Sequence, residues 1–173
     1  QEIIIEVKSL YKIVGSKPEK ALLMLKNGRS KSEIFEKTAQ TVGLHDVSFE
    51  VNKGEIFVLM GLSGCGKSTL LRCLNRLIDP TGGSIIINGV DIVGMNDEEI
   101  REFRRRQVGM IFQNFALLPH RSVIDNVAFG LEIQGIDLKT RHVKATEALK
   151  LVGLAGYETS MTDQLSGGMK QRV

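Results

Sequence analysis

The string GLSGCGKST at residues 61–69, preceded by the apolar run Ile56-Phe57-Val58-Leu59-Met60, decides how the rest of the chain is read. Gly61, Gly66, Lys67 and Ser68 fill the fixed places of G-x-x-x-x-G-K-[ST], in the strand-to-helix context where that pattern cradles phosphate. Gly61, Gly64 and Gly66 let the backbone turn with no side chain in the way. Successive N–H groups, those of Ser63 and Cys65 among them, then point inward as an anion nest. A helix opening near Lys67 adds the positive end of its dipole to the same spot. Lys67 brings a full charge to the β- and γ-phosphates, the Ser68 hydroxyl is placed to ligate Mg²⁺, and Thr69 assists at the α/β end.

The surroundings of the loop are those of an ordinary α/β domain. The 173 residues suffice for one compact unit with a sizeable core. No apolar run approaches the roughly 20 residues of a membrane helix, and the start Gln1-Glu2-Ile3-Ile4-Ile5 lacks a basic segment followed by a long apolar core, so export is not expected. Cys65 and Cys73 are separated by about 12 Å of loop and helix rise, which precludes a disulfide and fits a reducing cytosol. Cys65 reads as a small packed thiol with no redox role. A formal charge of +3 does not argue for a nucleic-acid partner. The basic cluster Arg101 with Arg104-Arg105-Arg106 lies on a helix whose acidic first turn and basic last turn match the dipole, and it reads as a solvated face.

Periodicity and turn residues predict strands over 3–7 and 47–51, the second turning through Asn52-Lys53-Gly54 into a strand before the phosphate loop. Between them, residues 16–41 form a helical insertion: Pro18 and Glu19 open a helix that Asn27-Gly28 stops, and residues 32–37 form a second. Gly82-Gly83 and Asn88-Gly89 bracket a strand over 84–87 that continues as a hairpin to Asp91-Ile92. The basic helix follows, then a strand over 108–112 ending in Gln113. From Ser122 the pattern is helical, with Val123, Val127 and Leu131 on one stripe and Val143, Leu149 and Val152 on another. His45 and His142 have no spacing that suggests metal or catalysis.

A second glycine-rich string, Leu165-Ser166-Gly167-Gly168-Met169, offers a hydroxyl and two unencumbered amides at the start of a helix over 169–173. With both strings in view, the chain resembles the ATP-binding subunits of ABC transporters, whose signature LSGGQ stands here as LSGGM. The resemblance implies an α/β P-loop NTPase fold of the ABC type: a RecA-like core with an antiparallel β subdomain and a helical subdomain, truncated after the signature. It divides the single domain into a mainly β part over 1–60 with the insertion 16–41, a core over 61–113, and a helical part over 114–173. It also implies head-to-tail pairing of two subunits, in which Ser166, Gly167 and Gly168 of one close on the ATP held by the loop of the other.

By the same resemblance Gln113 is the Q-loop glutamine, which contacts Mg²⁺ or the attacking water, counts with Lys67 as catalytic and reports nucleotide state to the membrane partner, and Phe115-Ala116-Leu117-Leu118-Pro119-His120 belongs to the docking surface for a transmembrane permease, with His120 a surface contact. The position that stacks on adenine falls on Val14 in place of the usual aromatic, so either Val14 packs the base or Tyr11 substitutes. The insertion, GEIFVLMGLSGCGKSTLLRCLNRLIDPT and FALLPHRSVIDNVAFGLE are similar to the glycine betaine/proline importers. The function implied is an ATPase that powers uptake of compatible solutes and serves osmoprotection. The cofactors implied are ATP and Mg²⁺. Its implied partners are a permease, a second ATPase subunit and, indirectly, a solute-binding protein, with no nucleic acid, and its place is the cytoplasmic face of the membrane. An importer ATPase for another cargo such as amino acids, or a soluble ABC ATPase without a transport role, are the alternatives. The family's second phosphate-site Asp, catalytic Glu and switch His are expected beyond Val173, which leaves these residues hydrolytically incomplete.

Overall fold

The computed structural model describes residues 2–112 and 114–173, which separate into two compact units, Gln1–Arg101 and Glu102–Val173. The first is built on four antiparallel strands, β1 (Ile3–Val14), β2 (Thr41–Asn52), β3 (Gly82–Ile87) and β4 (Val90–Asp91), in the order β2-β1-β3-β4. β1 is central, with Val7 opposite Phe49 on one side and Ile85 on the other. Its pairing shifts register between Val7 and Leu10, where Ser9 has a positive φ and its N–H donates to the Ser48 hydroxyl at 2.8 Å. Gly83 lies against this irregularity with φ +91°, and a Cβ there would fall 2.3 Å from the Ser9 carbonyl oxygen, so no other residue fits.

The insertion forms as two helices, α1 (Pro18–Lys26) and α2 (Lys31–Thr38). Pro18 presets the first turn of α1. Ser30 and Glu33 close a reciprocal cap on α2, with the Glu33 N–H donating to Ser30 Oγ and the Ser30 N–H to the Glu33 carboxylate. Ala21, Leu25 and Ile34 bury against Tyr11, Ile13 and Val42 of β1 and β2. Each large aliphatic side chain so covered contributes on the order of 1.5–3 kcal/mol, which is how two short helices hold their place.

Two expected strands are not in a ladder. In residues 56–60, Ile56 is 89% exposed and Val58 is exposed too, while Phe57 stacks on Phe49 of β2 with ring centroids 4.8 Å apart. Residues 108–112 likewise belong to no strand, and Ile111 is 99% exposed. Both are continuous apolar runs of the kind that a parallel sheet buries on two faces. A strand exists only through its neighbours' backbone groups, and neither run is a member of the four-stranded sheet.

After α3 (Lys67–Leu74) and the hairpin, the chain passes from the first unit to the second within α4 (Asp97–Gln107). The second unit is helical: α5 (Val123–Val127), α6 (Phe129–Ile133), α7 (Leu138–Leu151) and α8 (Gly167–Lys170). Val123, Leu149, Leu154 and Leu165 form its core, with Val127, Met169 and Val173 packed around them. On α7 the buried face is Ala145 and Leu149, and Val143 and Val152 point to solvent, contrary to the predicted stripe. Ser122 caps α5 and Asp137 caps α7 through their side-chain oxygens. No helix among the described residues is long and apolar enough to cross a membrane.

Candidate functional site

The phosphate loop runs into α3 through Gly66, whose φ of +97° and lack of a side chain leave the first amides of the helix without a side-chain cap. Those donors are thus left for an acceptor other than a cap. Gly66 also rests on β2: a Cβ there would come 2.7 Å from the Gly43 carbonyl oxygen and 3.2 Å from Leu44. At Gly61 a Cβ would lie 2.7 Å from Cys65 Sγ, so that thiol would have to turn aside to admit a side chain there. The Lys67 ammonium curls back over the loop and donates to the carbonyls of Gly61 and Leu62 at 2.7 Å each, with Cys65 Sγ at 3.6 Å. Ser63, Gly64, Cys65 and Ser68 are exposed, and Thr69 is half-buried beside Gly43. Leu70 and Cys73 anchor the other face of α3, and burial pushes the Cys73 thiol up to about 11, which keeps it protonated and inert.

Of the two residues considered for packing adenine, only Val14 is accessible. Tyr11 is 9% exposed, is part of the core under α1 and α2, and carries the Lys26 ammonium 5.5 Å from its ring centroid. Its ring is committed to the insertion, so Tyr11 does not substitute for the missing aromatic. Val14 lies at the end of β1 with more than half its surface open.

The second glycine-rich loop begins α8, whose N-cap is Ser166: its Oγ accepts from the Met169 N–H at 3.3 Å. The helix starts at Gly167, two residues before the predicted start, because the serine cap draws both glycines into the first turn. Gly167 and Gly168 have ordinary backbone angles, and a Cβ on either would meet nothing within 4 Å. Leu165 is buried beneath the loop, and Arg172 ties α8 to the end of α7 by donating to the Val152 carbonyl at 2.8 Å.

Gln113 lies outside the described residues. In the segment after it, Asn126 is a brace that sequence reading missed: its amide donates to the carbonyls of Leu118, Arg121 and Ser122, and its oxygen accepts from the Leu118 N–H at 2.7 Å. His120 sits in the turn after Pro119 and is exposed. Arg121 makes a two-pronged pair with Glu132 at 2.9 and 3.1 Å, Arg141 joins the same carboxylate at 3.0 Å, and the Arg121 guanidinium lies 5.1 Å from the centre of the Phe129 ring. The Arg121 hydrogen bonds hold Glu132 below the usual carboxylate range. His142, whose spacing suggests neither metal nor catalysis, meets Asp125 at 3.0 Å. The Ser122 hydroxyl and then His142 hold Asp125 below its usual value. Seventeen residues separate that pair, so only the packing of α5 on α7 reveals it.

A family model described as ABC transporter matches residues 44–173. The chain belongs to the ABC transporter family, and its fold is the α/β P-loop NTPase fold of the ABC ATPase domain. Within it, the chain is 53% identical over 171 residues to the glycine betaine/proline betaine transport system ATP-binding protein ProV of Escherichia coli, a match covering 99% of this chain and 43% of that one. It is 54% identical to the glycine betaine transport ATP-binding protein OpuAA of Bacillus subtilis, over 99% of this chain and 41% of that one. Among solved structures it is similar to the ATP-binding cassette MJ0796, a dimer in a post-hydrolysis state bound to ADP and Pi, with a TM-score of 0.75, 27% identity, and coverage of 98% of this chain and 66% of that one. The chain thus spans less than half the length of these two curated relatives.

Proposed function

We propose that this chain is the nucleotide-binding portion of an ATPase subunit that powers an ABC importer for compatible solutes of the glycine betaine, proline betaine or choline class. The observation that carries the reading is the 53% identity to a glycine betaine/proline betaine transport protein over essentially the whole chain, helical insertion included. The loop's own shape supports the nucleotide: a glycine at position 66 that a Cβ would block, uncapped first-turn amides on α3, and an ammonium already at the loop mouth make a donor set fitted to phosphate oxygens.

In this reading the backbone of Gly61, Ser63, Gly64, Cys65 and Gly66 wraps the phosphates and Lys67 exchanges its carbonyl partners for phosphate oxygens. Ser68 is a ligand for Mg²⁺, and Thr69 completes the cradle. Gln113 serves as the second contact to the metal. Bound Mg-ATP supplies the phosphoryl group whose transfer to water drives transport. Ser166, Gly167 and Gly168 act on the nucleotide of a second, head-to-tail copy. Their backbone supports this: neither glycine is required by the chain's own packing, so the open space beside them is available to a partner. The partners are then a transmembrane permease, the second ATPase subunit and a solute-binding protein, and the site of action is the cytoplasmic face of the membrane.

The test is ATP hydrolysis by the full-length subunit assembled with its permease, with glycine betaine, proline and methionine each supplied with the binding protein. Stimulation by glycine betaine is expected. Stimulation by methionine alone would reassign the cargo, and failure of the subunit to bind Mg-ATP would overturn the reading.

A further inference from the structure

The helix that opens on Lys67 ends at Leu74, and the junction beyond it is organised by one side chain. Arg76 has a left-handed backbone, φ +49°, where glycine is the ordinary choice and any Cβ is strained. Its side chain is only 12% exposed and reaches in two directions. Nε and Nη2 donate to Asp79 Oδ1 at 2.9 and 2.7 Å. Nη1 donates to the carbonyls of Ile92 and Met95 at 2.9 and 2.7 Å. The Asp79 segment is itself pinned to β1, since Lys12 Nζ donates to the Asp79 carbonyl and the Thr81 N–H to the Tyr11 carbonyl, both at 2.7 Å. On the other side, Met95 directly precedes Asn96, whose Oδ1 accepts from the N–H groups of Glu98 and Glu99 and so caps α4.

These contacts make one continuous path from the phosphate loop along α3, through the Arg76 fork, to the residue before the cap of α4. Two turns of helix act as a rod, and a planar fork with donors on three nitrogens fixes the angle between its two sets of partners, which a lysine does not. We propose that Arg76 is a positioning residue that couples nucleotide engagement at the Lys67 end of α3 to the placement of α4, in whose course the chain passes from the first unit to the second. The proposal rests on the reading of residues 61–69 as the ATP site. It also accounts for an arginine where the backbone favours glycine: its hydrogen bonds to Asp79, Ile92 and Met95 offset the strain.

The test is amide hydrogen exchange and steady-state kinetics on the full-length subunit in complex with its permease, comparing wild type, Arg76→Lys and Arg76→Gly. Mg-ATP is expected to slow exchange in both the phosphate loop and α4 of the wild type. In both variants, loop protection should persist, α4 protection should vanish, and kcat should fall about tenfold, as for loss of a charge-assisted hydrogen bond, with KM for Mg-ATP within about twofold. Arg76→Gly removes the backbone strain, so it separates loss of coupling from loss of folding. If α4 protection survives in the variants, or kcat and KM change together in step with a lowered Tm, Arg76 is a structural brace and the proposal is wrong. If the wild-type loop itself gains no protection from Mg-ATP, the ATP reading fails first and this inference with it.

Discussion

At the loop of residues 61–69 the glycines answer to the chain's own packing, whereas at Gly167 and Gly168 they do not. Gly66 has a positive φ and sits where a Cβ would strike the Gly43 carbonyl; Gly61 closes on Cys65. Gly167 and Gly168 have helical backbones and open space around them, and the serine before them caps the helix as it would in any protein. One loop is shaped from within, as the proposed phosphate cradle requires. The other is locally overprovided with small residues, which makes sense when the surface that needs the room belongs to another molecule.

The largest effect expected from this contrast is at Lys67, the one cationic side chain inside the first loop. Lys67→Ala removes its charge together with its two bonds to the loop carbonyls, and turnover by the full-length subunit should fall by about a hundredfold or more, the scale for deleting a preorganised electrostatic contact. A variant that retained near-normal hydrolysis would show that the loop does not place the phosphates.

Ser166→Arg probes the second loop in the same protein. A long side chain forced into a close approach costs on the order of 1–3 kcal/mol, so dimer closure and hydrolysis should drop roughly tenfold or more while ATP binding to the separated subunit is unchanged. Unchanged hydrolysis would mean that the loop acts neither in trans nor on nucleotide. A pair of alanine substitutions then sharpens the contrast through stability alone. Gly66→Ala should lower unfolding free energy by about 1–3 kcal/mol, for strained backbone and contact with Gly43. Gly168→Ala should leave it within about 0.5 kcal/mol, yet reduce hydrolysis in the dimer. Equal losses of stability in the two would erase the distinction between an inward-shaped and an outward-facing loop.

The two loops were also unequally legible. The first was readable because its chemistry is local: glycine spacing, lysine and serine all lie within nine residues. The helical insertion was readable for the same reason, with Pro18 and Asn27-Gly28 marking its first helix by backbone chemistry alone. What failed was non-local. Residues 56–60 and 108–112 have strand composition, but pairing depends on a neighbour that composition does not name. On α7 the buried residues are Ala145 and Leu149; of the expected stripe only Leu149 is inside, and the small Ala145 carries no apolar signal comparable to that of Val143 and Val152. Tyr11 is withheld from a base by α1 and α2, a cover that its place in the sequence does not announce. The Asn126 brace and the Asp125–His142 pair span 8 and 17 residues across elements whose packing no periodicity specifies.

That last pair gives the smallest expected effect and confines it to the unit holding the second loop. Asp125 is held below the usual carboxylate value of about 4 by the Ser122 hydroxyl, then by His142 and Arg121; Glu132 is lowered by Arg121 and Arg141. A carboxylate with a depressed folded value adds stability that is fully present above its unfolded value and is lost as pH falls through the folded one. The helical unit should therefore loosen progressively below about pH 4. Asp125→Asn should remove part of that acid dependence and cost about 1 kcal/mol or less at neutral pH, since the pair is more than a third open to solvent. Amide exchange in α5 and α7 of the full-length subunit, followed from neutral to acid pH, reads it directly. An Asp125→Asn profile that coincides with wild type throughout would show that Asp125 adds nothing to the packing of α5 on α7, leaving Val123 and Leu149 to hold the ground on which the second loop stands.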